Sequence, residues 1–183
     1  GWYALRESDR MLHAGAFNWT YTLGTGLMDP WAMGATALIP EIGTKTEDLP
    51  LLMARHRATL FAAAPGIYRR MLRADIPALP DLRHGLSAGE AMAPDVRADW
   101  EAQTGTQVHS AFGMSECSTF ISSSPARPTR TTGFVQEGRT IAILGDNGPV
   151  PRGEPGQIAI HHDDPGLMLG YLDAPELTAK RYK

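Results

Sequence analysis

Short apolar runs alternate with amphipathic segments through the first two thirds of the chain, and this alternation is the feature that most constrains its fold. The apolar runs typical of buried strands lie at 11–17, 35–40 and 59–65. Segment 93–105 is predicted to be a helix, because Pro94 stands in its first turn and Gly105 at its end. Strands that alternate with helices need crossover connections. The sequence therefore predicts an α/β fold with a mostly parallel sheet and flanking helices.

The pattern changes near residue 125. Beyond it, β-type runs at 138–144 and 157–162 are separated by a segment rich in Gly, Pro, Asn and Asp, which are turn-forming residues. Helical periodicity does not return until residue 174. We therefore expect an α/β unit over 1–124 and a small antiparallel β unit over 125–183.

Charge and cysteine content exclude several classes of protein. The formal net charge is −3 and no cluster of Lys and Arg is present, so nucleic acid is not an expected partner. No run of about 18 apolar residues is free of charges and breakers, so no membrane span is expected. The single Cys117 has no partner for an intramolecular disulfide, which favours a reducing, cytoplasmic location.

Two glycine-containing turns follow predicted strands, at 87–91 and 111–116. Ligands of open α/β sheets collect at the ends of strands, and a parallel sheet places such turns side by side. In the second turn Phe112 offers a face for a planar ring and Gly113 permits close approach of backbone, while Ser115 and Glu116 suit an oxyanion and a divalent cation. These residues together suit a nucleotide polyphosphate, although the physical pattern alone is more typical of an ordinary turn.

Four motifs carry a resemblance to a known family. The string FGMSE at 112–116 is similar to the Tyr-Gly-x-Thr-Glu signature of the adenylate-forming superfamily, which includes acyl-CoA synthetases and nonribosomal adenylation domains. Residues 155–178 resemble that family's Gly-Glu-Leu-x-Ile…Met-x-Gly-Tyr…Pro-Glu-x-Thr motif. LSAGEAM at 86–92 resembles the loop beside the adenine, and GAFNWTYTLGTGL at 15–27 resembles the aromatic stretch that shapes the acyl pocket. Within the superfamily, the aryl and medium-chain acyl-CoA ligases are the most similar.

The resemblance implies part of a large N-terminal α/β domain followed by the start of a β-barrel subdomain. It implies an ATP-dependent reaction that forms an acyl-adenylate, which coenzyme A then converts to a thioester, with Mg²⁺ as the metal. The catalytic residues implied are Ser115, at the phosphate or carboxylate oxygen, and Glu116, on Mg²⁺. The nucleotide-binding residues implied are Ala88, Gly89, Glu90, Ala111, Phe112, Gly113, Met114 and Ser115. The acyl-pocket residues implied are Trp19, Tyr21, Ala111 and Met114.

Other motifs of the resembled family are absent from these 183 residues. The Gly-rich phosphate loop, the Thr-Gly-Asp that holds ribose and the catalytic lysine of the C-terminal domain are not found. We therefore expect a piece of a synthetase that is inactive alone and tends to self-associate through uncovered apolar surface. Two alternatives stay open, namely a non-catalytic nucleotide-binding or scaffold module and an enzyme that loads a carrier protein.

Simpler interpretations exist for several residues. Trp19 and Tyr21, two apart, also fit the face of a half-buried strand. The HHDD string at 161–164 invites a metal assignment, but adjacent histidines on a strand point to opposite faces, which argues against a metal site. His109 is expected to be a packed histidine rather than a base. Cys117 lacks a basic partner and is not expected to be a catalytic thiol.

Overall fold

The computed structural model describes residues 1–182 and arranges them in a large and a small sheet. The strands of the large sheet are β1 (Arg10–His13), β2 (Thr36–Leu38), β3 (Leu60–Ala63), β4 (His84–Ala88), β5 (Val108–Met114), β6 (Ser118–Ser122) and β7 (Phe134–Val135). Their spatial order is β2-β1-β3-β4-β5-β6-β7. The first five are parallel, whereas β6 and β7 pair antiparallel at one side. The predicted α/β class with a mostly parallel sheet is confirmed.

A small antiparallel sheet follows the large one. Its strands are β8 (Ile141–Gly145), β9 (Gly148–Pro149) and β10 (Gln157–Ile160), in the order β10-β8-β9. The sheet falls inside the predicted second unit. Strand β7, however, lies beyond residue 125 and pairs with the large sheet. The division into 1–124 and 125–183 stays a prediction, and Lys183 lies outside the described residues.

Residues 1–182 contain six short α-helices, of which the first five lie between strands and the sixth follows the last strand. They are α1 (Thr20–Leu23), α2 (Asp29–Ala32), α3 (Leu49–Arg55), α4 (Pro65–Met71), α5 (Pro94–Thr104) and α6 (Pro175–Arg181). A π-helical segment, Gly24–Met28, joins α1 to α2, and a 3₁₀ turn, Thr46–Asp48, precedes α3. The predicted α5 is confirmed: Pro94 begins it, and Gly105 ends it with φ of 68°, a left-handed conformation that suits glycine.

Two apolar layers cover the parallel part of the sheet. On one face, helices α3, α4 and α5 contribute Met53, Tyr68 and Trp100 to the largest core cluster. On the other face, Tyr3 packs with strand residues such as Met11 and with the partly buried Trp2 and Leu5. The helical run from α1 to α2 lies on this second face, where a Cβ on Gly26 would come within 2.6 Å of the His13 Cβ. A glycine at position 26 therefore lets that run approach β1 closely.

Several predicted elements have different bounds or exposure. The run at 35–40 forms only the edge strand β2, whose Thr36 is exposed, so a buried strand was wrong there. The run at 59–65 ends as a strand at Ala63 because Pro65 begins α4. The half-buried strand alternative for Trp19 and Tyr21 is wrong as well, because the two residues lie at the start of α1.

Among the helices of residues 1–182, none combines the length and apolar character that crossing a bilayer requires.

Candidate functional site

The two predicted turns lie side by side at the ends of β4 and β5. Ala88 and Ala111 are register partners in this parallel pair. The expectation that a parallel sheet would bring segments 87–91 and 111–116 together is therefore confirmed. Both alanines are buried, and the residues that follow them form the rim of the site.

Trp19 lies directly over the first turn. Gly89 has φ of +99°, and a Cβ at this position would lie 3.0 and 3.1 Å from two carbons of the Trp19 indole. The indole also meets the Tyr21 ring edge-to-face, with 5.1 Å between ring centroids. Tyr21 in turn packs against Ala88 and Ala111 in a small buried cluster. The structure thus brings three predicted acyl-pocket residues, Trp19, Tyr21 and Ala111, to one place.

His13 belongs to the same place and was not predicted. Its ring meets Tyr21 edge-to-face at 4.8 Å between centroids, and its Nδ1 accepts a 3.0 Å hydrogen bond from the Gly15 N–H. Burial lowers the pKa of His13 to about 3, so the imidazole is neutral at physiological pH. No pattern in the sequence pointed to His13, because the space that Gly15 and Gly26 leave for its side chain is visible only in the structure.

The FGMSE motif covers the end of β5 and the start of the tight turn into β6, so the predicted turn at 111–116 is strand up to Met114. Strand β5 ends at Met114 and β6 begins at Ser118, so Ser115, Glu116 and Cys117 form the connecting turn. A Cβ on Gly113 would come within 2.3 Å of the Ser118 carbonyl oxygen. Gly113 is therefore required by the packing of the two strands on each other, independently of any ligand.

Phe112 and Ser115 are both accessible to a ligand. Phe112 is 38% exposed and meets Phe120 edge-to-face at 5.4 Å between ring centroids. The exposed Ser115 hydroxyl lies 3.3 Å from the Thr20 hydroxyl, at the start of α1. Thr20 was not predicted as a site residue, although its position between Trp19 and Tyr21 places it next to the predicted pocket. The two hydroxyls form a polar pair beside the aromatic cluster of Trp19 and Tyr21.

Glu116 is held from the segment that carries the second motif. The Tyr171 hydroxyl donates a 2.5 Å hydrogen bond to Glu116 Oε1, and Arg181 approaches the same oxygen at 3.4 Å. The Met168 N–H donates a 2.6 Å bond to the Glu116 carbonyl. The bond from Tyr171 is the largest cause of a lowered pKa of the Glu116 carboxyl, which is therefore ionised at neutral pH. A partly exposed carboxylate of this kind fits the oxygen ligands that Mg²⁺ prefers.

A buried ion pair contacts the turn between β5 and β6. Arg139 and Asp164 pair at 2.9 Å, and Arg139 also donates a hydrogen bond to the Cys117 carbonyl. Asp164 accepts further bonds from the N–H groups of Thr140 and Gly166, at 3.1 and 3.0 Å. Burial raises the pKa of the Cys117 thiol, which agrees with the expectation that it is not a reactive thiolate.

Two predicted residues make contacts away from the aromatic cluster. The exposed Glu90 accepts a 3.2 Å bond from the Gly66 N–H at the start of α4. The sulfur of Met114 accepts a 3.5 Å bond from Arg181. Tyr171 and Arg181 themselves were not predicted as site residues, although Tyr171 stood within the second motif.

His161, His162 and Asp163 cluster on the surface. One ligand atom from each lies within 4.8 Å of the others, and the two imidazole centroids are 4.4 Å apart. The expectation of opposite strand faces was wrong, because β10 ends at Ile160 and both histidines lie in the following turn. All three side chains are exposed, and proximity alone does not assign a metal to them.

Curated proteins similar to this chain include mitochondrial acyl-coenzyme A synthetases. The human mitochondrial acyl-coenzyme A synthetase ACSM2A is 28% identical over 98% of this chain and 33% of its own length. The mouse mitochondrial acyl-coenzyme A synthetase ACSM5 is 30% identical over 97% of this chain and 32% of its own length. The chain thus spans about a third of the curated relatives that it matches.

Solved structures agree with the sequence relatives. A benzoate CoA ligase from Burkholderia xenovorans LB400 superposes with a TM-score of 0.87 at 28% identity, over 96% of this chain and 37% of that one. The anthranilate CoA ligase AuaEII, solved in complex with anthranoyl-AMP, gives 0.86 at 26% identity, over 97% and 35%. The model of the AMP-binding enzyme family matches residues 1–172. This chain therefore belongs to the AMP-binding enzyme family, with acyl- and aryl-CoA ligases among its relatives.

Proposed function

We propose that these residues carry part of the active site of an AMP-forming carboxylate–CoA ligase that acts on an aromatic or medium-chain acid. The observation that carries the proposal is the convergence of two features at the ends of β4 and β5. The aromatic cluster of Trp19 and Tyr21 lies next to the turn that presents Ser115 and Glu116. The benzoate and anthranilate ligases of similar fold support an aromatic acid as substrate.

The accessible groups can be assigned to a nucleotide. The exposed ring of Phe112 is available for stacking on adenine, an interaction that needs no phenolic hydroxyl. The paired hydroxyls of Ser115 and Thr20 can donate to oxygen atoms of the phosphate or of the substrate carboxylate. Ala88, Gly89 and Glu90 line the neighbouring strand end.

Glu116 would hold Mg²⁺, which when bound neutralises phosphate charge during attack by the carboxylate. The carboxylate is ionised and partly exposed, but Tyr171 and Arg181 already contact Oε1. Tyr171 therefore sets the orientation of the carboxylate group. Coenzyme A is the proposed second substrate and receives the acyl group from the adenylate.

The test is carboxylate-dependent ATP–pyrophosphate exchange by the full-length protein, with benzoates, cyclic acids and fatty acids of graded length. We expect exchange with the ring acids and a loss of at least about 100-fold in Glu116→Gln, because one charged ligand of the metal is removed. Exchange with chain acids alone would discard the aryl pocket and keep the reaction. A folded protein without exchange on any acid would overturn the proposal and favour a non-catalytic module.

The molecule that accepts the acyl group from the adenylate can also be tested with the full-length protein. Free coenzyme A and a phosphopantetheine carrier protein are compared after the adenylate has formed, and thioester is measured on each. We expect the thioester on coenzyme A. Transfer to the carrier protein alone would correct the acceptor and leave the adenylation step in place.

We also propose a reducing, cytoplasmic location for the protein. The single cysteine, Cys117, supports a reducing compartment because it leaves the chain without an intramolecular disulfide, whereas the named relatives are mitochondrial. Fractionation of cells that express the full-length protein would decide, and recovery in an organelle would contradict the proposal.

The segment by itself is proposed to self-associate. The run from α1 to α2 and the turn after it expose large apolar side chains. They are Leu23, Met28, Trp31 and Met33. Contiguous apolar surface of this kind favours association. Sedimentation of residues 1–183 should show dimers or larger species, and a monomer at high concentration that binds no apolar dye would contradict this.

A further inference from the structure

Five buried side-chain polar atoms have no hydrogen-bond partner among residues 1–182, including Thr22 Oγ1, Ser87 Oγ and Arg139 Nε. The other two belong to rings that contact each other at the aromatic cluster. They are the hydroxyl of Tyr21 and Nε2 of His13. Tyr21 is 8% exposed and His13 is fully buried, so solvent does not supply the missing partners. Most buried polar atoms in folded proteins are paired, and an unpaired one calls for a specific explanation.

The two atoms belong to one local arrangement. The rings of His13 and Tyr21 are in edge-to-face contact, and Tyr21 packs on Trp19, Ala88 and Ala111. Because the Gly15 N–H donates to Nδ1 of His13, the neutral imidazole carries its proton on Nε2. The pair therefore offers an N–H donor and a hydroxyl that can donate or accept, beside apolar walls.

Neither group carries charge. Burial raises the pKa of the Tyr21 hydroxyl and lowers the pKa of His13 to about 3. A charged substituent would find no compensating charge on these two groups, whereas a hydroxyl, carbonyl or ether oxygen would satisfy their hydrogen bonds. The indole of Trp19 and the methyl groups of the two alanines suit the flat carbon frame that carries such a substituent.

We propose that Tyr21 and His13 bind an uncharged polar substituent of the acyl group, so that hydroxylated or carbonyl-bearing acids are preferred over their unsubstituted parents. This inference rests on the proposed ligase function. Trp19 is only partly buried and contacts Tyr21 edge-to-face, so the proposal requires its indole to move when the acyl group binds. Discrimination then arises because the parent acid would leave the Tyr21 hydroxyl and the His13 N–H unpaired in the complex.

The experiment measures ATP–pyrophosphate exchange by the full-length protein with benzoate, the three hydroxybenzoates, hexanoate and 6-hydroxyhexanoate. We expect at least one hydroxylated acid to exceed its parent in kcat/KM by about 10- to 100-fold. Tyr21→Phe keeps the ring and removes the hydroxyl, and it should reduce that ratio by about 10-fold or more. His13→Phe should also reduce the ratio of kcat/KM between the hydroxylated acid and its parent.

The matched control is Tyr3→Phe, since the Tyr3 hydroxyl already donates a 2.5 Å bond to Asp29. Its selectivity ratio should equal that of the wild type. Thermal unfolding provides a readout that does not depend on activity: Tyr3→Phe should lower Tm, whereas Tyr21→Phe should not. A Tyr21→Phe variant as destabilised as Tyr3→Phe would show that the hydroxyl has a partner within the protein and would overturn the inference.

The outcomes separate this inference from the function on which it rests. Exchange that proceeds with parent acids at an equal or higher rate, and with a ratio unchanged in Tyr21→Phe, would overturn the polar subsite and leave the ligase in place. Absence of exchange with every acid would overturn the ligase function and the subsite together.

Discussion

The Tyr171 hydroxyl donates a hydrogen bond of 2.5 Å to Oε1 of Glu116, across 55 positions of sequence. This bond connects the segment before α6 to the turn between β5 and β6. It is also the largest cause of the lowered pKa of the Glu116 carboxyl. The motif at 112–116 and the motif at 155–178 therefore form one site rather than two.

Replacing Tyr171 tests this connection. Tyr171→Phe should move the Glu116 pKa up toward the ordinary value of 4.5, because the largest lowering cause is removed. A carboxyl whose pKa is lower in the folded than in the unfolded chain stabilises the fold at pH values above its unfolded pKa. This stabilisation is lost as the pH falls through the pKa of the folded state. The variant should therefore have a Tm about 1 °C lower at pH 7, with the difference disappearing below pH 4.5.

Tyr182→Phe is the matched control, because the Tyr182 hydroxyl bonds to the carbonyl of Met168 rather than to a titrating group. Its effect on Tm should be the same on both sides of pH 4.5. Equal pH dependence in the two variants would show that Tyr171 does not act through the carboxylate.

Gly89→Ala should displace the Trp19 indole. The new Cβ would lie 3.0 Å from the indole, on a backbone whose φ is +99°. Gly105→Ala is the control for the backbone alone, because Gly105 has φ of +68° and no atom within 4 Å of the added Cβ. Both variants should lose about 1 kcal/mol of unfolding free energy. Only Gly89→Ala should change the tryptophan fluorescence and the order in which the enzyme prefers its acid substrates. Identical effects of the two variants would show that residue 89 does not contact the Trp19 indole.

Asp9 is expected to be a strong determinant of stability. Burial by itself raises its pKa, but hydrogen bonds from Arg83 and Thr59 and from the Arg6 N–H lower it overall. Asp9→Asn should lower the free energy of unfolding by about 3 kcal/mol at pH 7, because the partly buried Arg83 loses its charge partner. The folded pKa is lowered, so the cost should shrink as pH falls below the ordinary value of 3.8.

Denaturant unfolding measures that cost, with Asp81→Asn as the comparison. Asp81 pairs with Arg57 at 3.0 Å, but the Arg57 side chain is 75% exposed. Surface pairs of this kind contribute little to stability. If Asp81→Asn lowered the free energy of unfolding as much as Asp9→Asn, Asp9 would not be the strong determinant of stability that we expect.

Three buried histidines should make stability sensitive to mild acid. Burial lowers the pKa of His13 to about 3 and of His109 to about 4, and it lowers the pKa of His84 as well. His13 and His109 bind protons below about pH 6.5 in the unfolded chain but stay neutral in the folded chain down to about pH 4, so unfolding free energy should fall from pH 6.5 toward pH 4. The slope should reach about 1.4 kcal/mol per pH unit for each of His13 and His109, and His84 should add to it in the same direction.

His109→Gln should remove about one proton from the uptake on unfolding. His109 contacts His84 edge-to-face at 5.1 Å, so the remaining His84 reports whether the two titrate together. Calorimetry in buffers of different ionisation enthalpy counts the protons. Uptake unchanged from the wild type would contradict a neutral buried His109.

Residues 1–183 alone should form no AMP from ATP when a carboxylate is supplied. The strand ends present Ser115 and Glu116, but the phosphate loop and the lysine of the resembled family are missing from this sequence. Radiolabelled ATP and the acids named above provide the measurement, with the full-length protein as positive control. Carboxylate-dependent AMP formation by the segment would contradict the expectation.

Much of the fold could be predicted because its signals are local. The apolar run before 87–91 and the Pro94–Gly105 boundaries of α5 lie within a few residues of the structure that they specify. The proximity of the ends of β4 and β5 follows once two consecutive strands are parallel neighbours, whereas the register that pairs Ala88 with Ala111 is seen only in the structure. The extent of the edge strand β2 could not be read in the same way, because an apolar run does not reveal which neighbours will cover it.

The sequence by itself determined the α/β class, the two turns and the family to which their motifs belong, since these depend on residue type at short spacing. The tertiary structure alone decided what surrounds those turns. It placed His13 against Tyr21, Trp19 over Gly89, and Tyr171 and Arg181 on Glu116. Such contacts join residues that lie far apart in sequence or on different elements. They arise from the packing of whole layers, for which no local pattern of residues provides a signal.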